Sequence, residues 1–176
     1  MPTLTAKHLI ELLTQFVDET GSSVDLLLVG ALAFHASGIS DRATRVVDAE
    51  IDGPLVPLLD FLTTHQVPAD LTQNFSGWSV VAMPPGYRDR ATSLINQPNL
   101  RVRVLAPIDF VLAKLRRGTD LDFDDALLVA RHYQLSADAI QACAQAALAA
   151  SPQDTALFLF QKTVDLFCTS LSSPQH

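Results

Sequence analysis

Three acids alternate with apolar residues between positions 46 and 52: Asp48, Glu50 and Asp52, set among Val47, Ala49 and Ile51. On a β-strand alternate side chains point to opposite faces, so this run would line one side with carboxylates and the other with hydrocarbon. Carboxylates two residues apart can share a divalent cation. Mg²⁺ commonly takes one or two of them and completes its octahedron with water and substrate phosphates, so the chemistry implied is phosphoryl transfer. Upstream, the turn at Gly30 and Ala31, leading into "ALAFHASG", could aim backbone N–H groups at a phosphate, and Arg42, Thr44 and Arg45 supply further donors. The same spacing also describes the solvated face of a half-buried strand. Like charges on one face repel, and either a metal or an arginine from a neighbouring strand relieves them. Arg101 and Arg103, alternating with Val102 and Val104, are the arginines to consider.

Other chemistry is sparse. Lys114, Asp122 and Asp125 fit a buried ionic network that ties helices together. His35, after the Gly30 turn, reads as a packed or surface histidine, and His8, His65, His132 and His176 show no metal-ligand spacing. Cys143 and Cys168 lie in helical stretches and read as buried free thiols. There is no Gly-x-Ser-x-Gly nucleophile turn and no Walker-type phosphate loop.

Composition narrows the setting. A net charge of −7 and a pI near 5.0 leave no strong nucleic-acid signal, because gripping a phosphate backbone needs clustered Lys and Arg. No stretch reaches the roughly 18 apolar residues of a membrane span, and the first residues lack a basic segment leading into an apolar run; a cytoplasmic protein is expected.

The elements that must hold these residues follow from periodicity. Residues 5 to 20 place Leu9, Leu13, Phe16 and Val17 on one helical face, with Gly21 at the C-terminal stop. "VDLLLVG" suits a buried strand, "ALAFHASG" a short helix, and "VVDAEID" the acidic strand. After Gly53 and Pro54, Leu55, Leu58, Leu59 and Leu62 mark a helix. "GWSVVAMPPG" is expected to hold a strand ended by its prolines, and "RDRATSLI" a helical turn or loop. "LRVRVLAP" reads as a half-exposed strand. Pro107 then opens a helix closed by Gly118, and another follows in "DLDFDDALLVARHY". Ser136 caps a further helix. Ser151 and Pro152 are expected to start the last one, with Leu157, Phe160, Val164, Phe167 and Leu171 in a stripe. That stripe either packs within the chain or forms a dimer seam, and a homodimer is the expectation.

Several of these stretches, taken in order, resemble the nucleotidyltransferase fold. "VGALAFHASG" followed by "RATRVVDAE" is similar to its opening, in which a small-residue turn and short helix lead to a strand bearing two metal-binding acids one residue apart. "MPPGYRDR" and "PIDFVLAKLRRGTDLDFDDALLV" resemble uncharacterised bacterial members related to the toxin–antitoxin nucleotidyltransferases, and the likeness spans roughly residues 25 to 132. The resemblance implies an α/β fold with a mixed sheet flanked by helices over residues 1–132 and a helical C-terminal part over 133–176. It also implies Mg²⁺-dependent transfer of a nucleotide from a nucleoside triphosphate to an unknown acceptor. Asp48 and Glu50 would be catalytic, joined by Asp52 as metal ligands, and Gly30, Ala31, Arg42, Thr44 and Lys114 would bind nucleotide. Two registers are open. One puts Val46 and Asp48 at the two acid positions; the other uses Asp48 and Glu50 and sets Arg42 and Thr44 two residues too far back. The family's third acid comes from a neighbouring strand, where "LRVRVLA" offers only arginines. Two outcomes therefore stand beside each other: an active enzyme, and a catalytically impaired relative that binds or regulates a partner protein, as in a toxin–antitoxin pair.

Overall fold

The computed structural model describes residues 3–36, 38–39 and 44–174, and the fold is mixed α/β. The chain divides into two compact units, one of residues 1–75 and 91–105 and the other of residues 76–90 and 106–176.

The first unit is built on a five-stranded sheet in the order β3-β2-β1-β5-β4. It opens with α1 (Ala6–Thr20), whose Leu9, Leu12, Leu13, Phe16 and Val17 are buried. The helix starts where Thr5 accepts from the His8 N–H, and stops at Gly21, whose φ of 66° is the left-handed conformation glycine adopts without strain. β1 (Val24–Leu28) runs through the centre, and α2 (Ala31–Ala36) follows it. β2 (Val47–Asp52) returns antiparallel to β1, with Leu27 opposite Glu50 and Asp25 opposite Asp52. α3 (Leu55–Thr64) buries Leu58 and Leu62 and crosses over to β3 (Ala69–Thr72), which pairs parallel to β2. Phe16 of α1 meets Phe61 of α3 edge to face, with ring centroids 5.3 Å apart. β4 (Thr92–Gln97) and β5 (Leu100–Val104) form a hairpin, and β5 pairs parallel to β1.

The second unit is mostly helical. It contains α4 (Tyr87–Arg90), α5 (Pro107–Arg117), α6 (Asp120–His132), α7 (Ala137–Ala149) and α8 (Ala156–Ser172). Thr119 and Asp122 close a capping box at the start of α6, in which each side chain takes the other's backbone N–H. No helix among the described residues is long and apolar enough to cross a membrane.

Three stretches differ from the sequence expectation. "RDRATSLI" is a helical turn only as far as Arg90; from Thr92 it runs into strand β4, whose hairpin pairing with β5 no apolar period announces. "GWSVVAMPPG" holds no strand: a 3₁₀ turn (Phe75–Trp78) leads into irregular chain up to α4. Its backbone groups find side chains instead of a ladder. Arg116 donates to the carbonyls of Ser76 and Val81, the Ala82 N–H donates to Ser151 Oγ, and the Met83 N–H to Ser76 Oγ. The last helix begins at Ala156, not at Ser151, because the Ser151 hydroxyl is spent closing α7 on the Ala147 carbonyl. Of its stripe, Phe160, Val164 and Phe167 are buried inside the unit, and Leu157 and Leu171 are half-buried.

Candidate functional site

The acidic strand forms with the expected alternation. Val47, Ala49 and Ile51 are buried on one face of β2; on the other, Asp48 is half-buried, Glu50 is 7% exposed, and Asp52 is exposed. Asp48 lies at the Gly30 end. The Val29 N–H donates to the Asp48 carbonyl at 3.0 Å, and the Asp48 side chain is pressed so closely on Gly30 that a Cβ added there would sit 2.6 Å from Asp48 Cβ and 2.9 Å from Cγ. Gly30 is therefore required as the residue that leaves room for this carboxylate.

Asp48 is an acid position in both registers. Asp48 is the acid on the Gly30 turn, and Glu50 is the next acid on the same face. Val46 stands outside the strand, 39% exposed.

Glu50 is held more tightly. Its Oε2 accepts the Phe75 N–H at 2.8 Å in a buried setting, which fixes the chain just after β3. Asp52 stands at the far end of the strand, beside Gly53 and in register with Asp25. Four residues of strand separate it from Asp48, about 13 Å, too far for both to touch one ion.

Two neighbours of β2 decide its electrostatics. β1 carries Asp25, and β5 lies beyond β1, so Arg101 and Arg103 share the face of the acids without adjoining β2. Both pair with Asp25, Arg101 at 3.4 Å and Arg103 at 3.2 Å. On the other side is β3, whose exposed Asp70 sits in register with Asp48. Parallel neighbours lie about 4.8 Å apart, so this pair gathers charge at the Gly30 end. Both strands adjoining β2 thus carry an acid on this face: Asp25 on β1, level with Asp52, and Asp70 on β3, level with Asp48. Asp70 lies on a four-residue strand, "ADLT", reached by the α3 crossover.

The remaining predicted binders have these settings. Ala31 opens α2 and is half-buried. Arg42 lies outside the described residues. Thr44 is 8% exposed and turned inward, its hydroxyl donating to the Val46 carbonyl at 3.3 Å. Lys114 belongs to the second unit, where its ammonium lies 3.6 Å from Asp122 and 3.4 Å from Asp125. This is the ionic network that the Lys and Asp spacing suggested. Burial would raise the Asp122 carboxyl, but hydrogen bonds from Arg117 and Thr119 outweigh it and hold the group down at about 2. Both cysteines are free, and burial pushes the Cys143 thiol up to about 11 and the Cys168 thiol in the same direction, which disfavours the thiolate.

Among the described residues no group of three or more His, Cys, Asp or Glu is placed to hold a metal ion. At the Gly30 end the structure sets the half-buried Asp48 beside the exposed Asp70, with the buried Glu50 next on the same face. Carboxylate oxygens are the donors that a hard cation such as Mg²⁺ takes, one or two at a time, beside its waters and substrate phosphates.

Over residues 6–160 the chain matches a protein-family model described as "Nucleotidyltransferase of unknown function (DUF6036)". No curated protein and no solved structure matches it.

Proposed function

We propose, from the premise that this chain belongs to the DUF6036 family of nucleotidyltransferases, that it moves a nucleotide from a nucleoside triphosphate to a hydroxyl-bearing acceptor at the Gly30 end of β2. The observation that carries this reading is the packing of Asp48 against Gly30, with Glu50 next on the same face and Asp70 across from it. In this reading Asp48 is the principal ligand for Mg²⁺ and Glu50 the second, its Oε2 kept in place by the Phe75 N–H. The metal, when bound, neutralises phosphate charge and aligns the triphosphate. The acceptor oxygen bonds to the α-phosphorus, the α–β phosphoanhydride bond breaks and pyrophosphate leaves. Asp70, exposed beside Asp48, takes the hydroxyl proton.

The test is incubation with α-labelled ATP, CTP, GTP or UTP, Mg²⁺ or Mn²⁺, and a cell extract supplying acceptors. Asp48→Asn should lower label transfer by roughly two orders of magnitude or more, and Glu50→Gln should lower it as well. Identical transfer by the native protein and both variants would remove the acidic strand from the chemistry.

A second reading follows from the commitment of Glu50 to the Phe75 N–H. If Glu50 serves only to hold that segment, Asp48 alone supports nucleotide binding without transfer, and the protein acts as a binding or regulatory partner, for example in a toxin–antitoxin pair. Magnesium and nucleotide at 100 times the dissociation constant would then add about 2.7 kcal/mol of stability with no label transferred.

A further inference from the structure

We propose that the outward face of α8 is the seam of a homodimer, in which two copies of α8 cross antiparallel about a two-fold axis beside Lys162. The inference is independent of the reaction proposed above. The inward stripe of α8 is consumed inside its own unit, yet the helix carries a second apolar set on its back: Phe158, Leu159 and Leu166 are 63%, 65% and 66% exposed. A helix that only covered its neighbours would present polar residues there.

The pattern is self-complementary. Leu159 and Leu166 are seven residues apart, hence on one face and about 10 Å apart along the helix, with Lys162 between them. An axis at that midpoint brings Leu159 of each copy level with Leu166 of the other, as an isologous contact requires. Such an axis would also bring two lysines together, and here the structure supplies the escape: Lys162 Nζ leans back over the Phe158 ring, 4.6 Å from its centroid, so the ammonium turns aside and its stem covers the aromatic face.

The area is sufficient. With a phenylalanine carrying on the order of 200 Å², three large apolar side chains at about two-thirds exposure bring roughly 350–400 Å² per copy, at the size of patch that is often functional. Counted on both copies, and with the exposed Thr155, Lys162 and Thr169 around it, the contact comes to about 1,000 Å², where specific interfaces begin.

The experiment is the mass of the full chain in solution by light scattering, from about 1 to 100 µM. The native protein should approach twice its 19.1 kDa as concentration rises. Leu159→Glu with Leu166→Glu should hold it at the single-chain mass with an unchanged far-ultraviolet spectrum. Lys162→Cys should form an interchain disulfide under mild oxidation, while a cysteine in place of the exposed Lys7 of α1 should not. A native mass of one chain throughout, a dimer that survives the double variant, or equal cross-linking from both cysteine positions would each overturn the proposal.

Discussion

Two groups of carboxylates in this protein are handled in opposite ways. In the second unit, Asp109 is fully buried and gripped by Arg90 through both oxygens, at 2.9 and 2.8 Å, and Asp122 is fully buried under Arg117 at 2.7 and 2.6 Å. Forked guanidinium contacts of this kind fix geometry and neutralise charge. In the first unit, Asp48 is half-buried against a glycine, Glu50 takes a backbone N–H, and Asp70 is brought beside Asp48, acid next to acid. The first arrangement closes carboxylates off under arginines; the second sets Asp48 and the exposed Asp70 side by side. Under the function proposed above, the difference separates groups that hold the fold from groups that take part in the chemistry.

The comparison breaks if the buried pairs prove dispensable. Arg90→Ala leaves Asp109 charged, buried and without its fork, and also frees the Pro84 and Pro85 carbonyls that Arg90 holds. Losing one partner of a buried pair costs about 3–5 kcal/mol, and the partial exposure of Arg90 places the expectation near 3, measured as a shift in the urea midpoint at constant slope. Gly30→Ala comes next, at about 1–3 kcal/mol, because a methyl group must displace the Asp48 side chain or the turn itself. Unlike Arg90→Ala, it should also reduce label transfer as severely as Asp48→Asn. Full activity in Gly30→Ala would separate Asp48 from the site.

Acid sharpens the same contrast. The folded carboxyl of Asp122 lies at about 2, below its ordinary 3.8, so its ionised form stabilises the fold. That stability is present above pH 4 and is lost as pH falls from about 4 through 2, when the group takes up a proton. The loss should be about 1–2 kcal/mol between pH 5 and 2, and Asp122→Asn should flatten that part of the stability curve. An unchanged curve would mean that Arg117 and Thr119 do not hold the charge.

Much of this was legible in sequence, and the reasons are specific. Helices announce their ends chemically: Thr5 and Gly21 bound α1, Gly118 stops α5 at φ 71°, and Thr119 starts α6. The central strands show as unbroken or alternating apolar runs. The edge strands do not. β4 carries Thr92, Ser93, Asn96 and Gln97, is mostly exposed and has an irregular register between Ser93 and Ile95, so its pairing with β5 comes from the backbone and leaves almost no apolar period. β3, four residues long, is equally silent, and Asp70 went unseen with it. The run from Val80 to Met83 misled for the converse reason: it looks like a strand, but its partners are the side chains of Arg116, Ser151 and Ser76, which no local pattern reveals.

The smallest expected effect is the most discriminating. Asp48→Asn keeps the size of the side chain and an acceptor oxygen but removes one of two facing negative charges. If Asp48 were structural in the manner of Asp109 or Asp122, this change would strip a buried charge from its partners and cost several kcal/mol. If it is an available ligand, half-buried and opposed by Asp70, removing its charge relieves repulsion and should alter stability by no more than about 0.5 kcal/mol, in either direction. Denaturant unfolding without metal measures this, and the same variant with Mg²⁺ and nucleoside triphosphate should lack the ligand-induced rise in melting temperature expected of the native protein. A loss above about 2 kcal/mol without ligand would place Asp48 with the structural carboxylates. A neutral result together with a lost ligand response would set it apart from them as a group kept charged for what it binds.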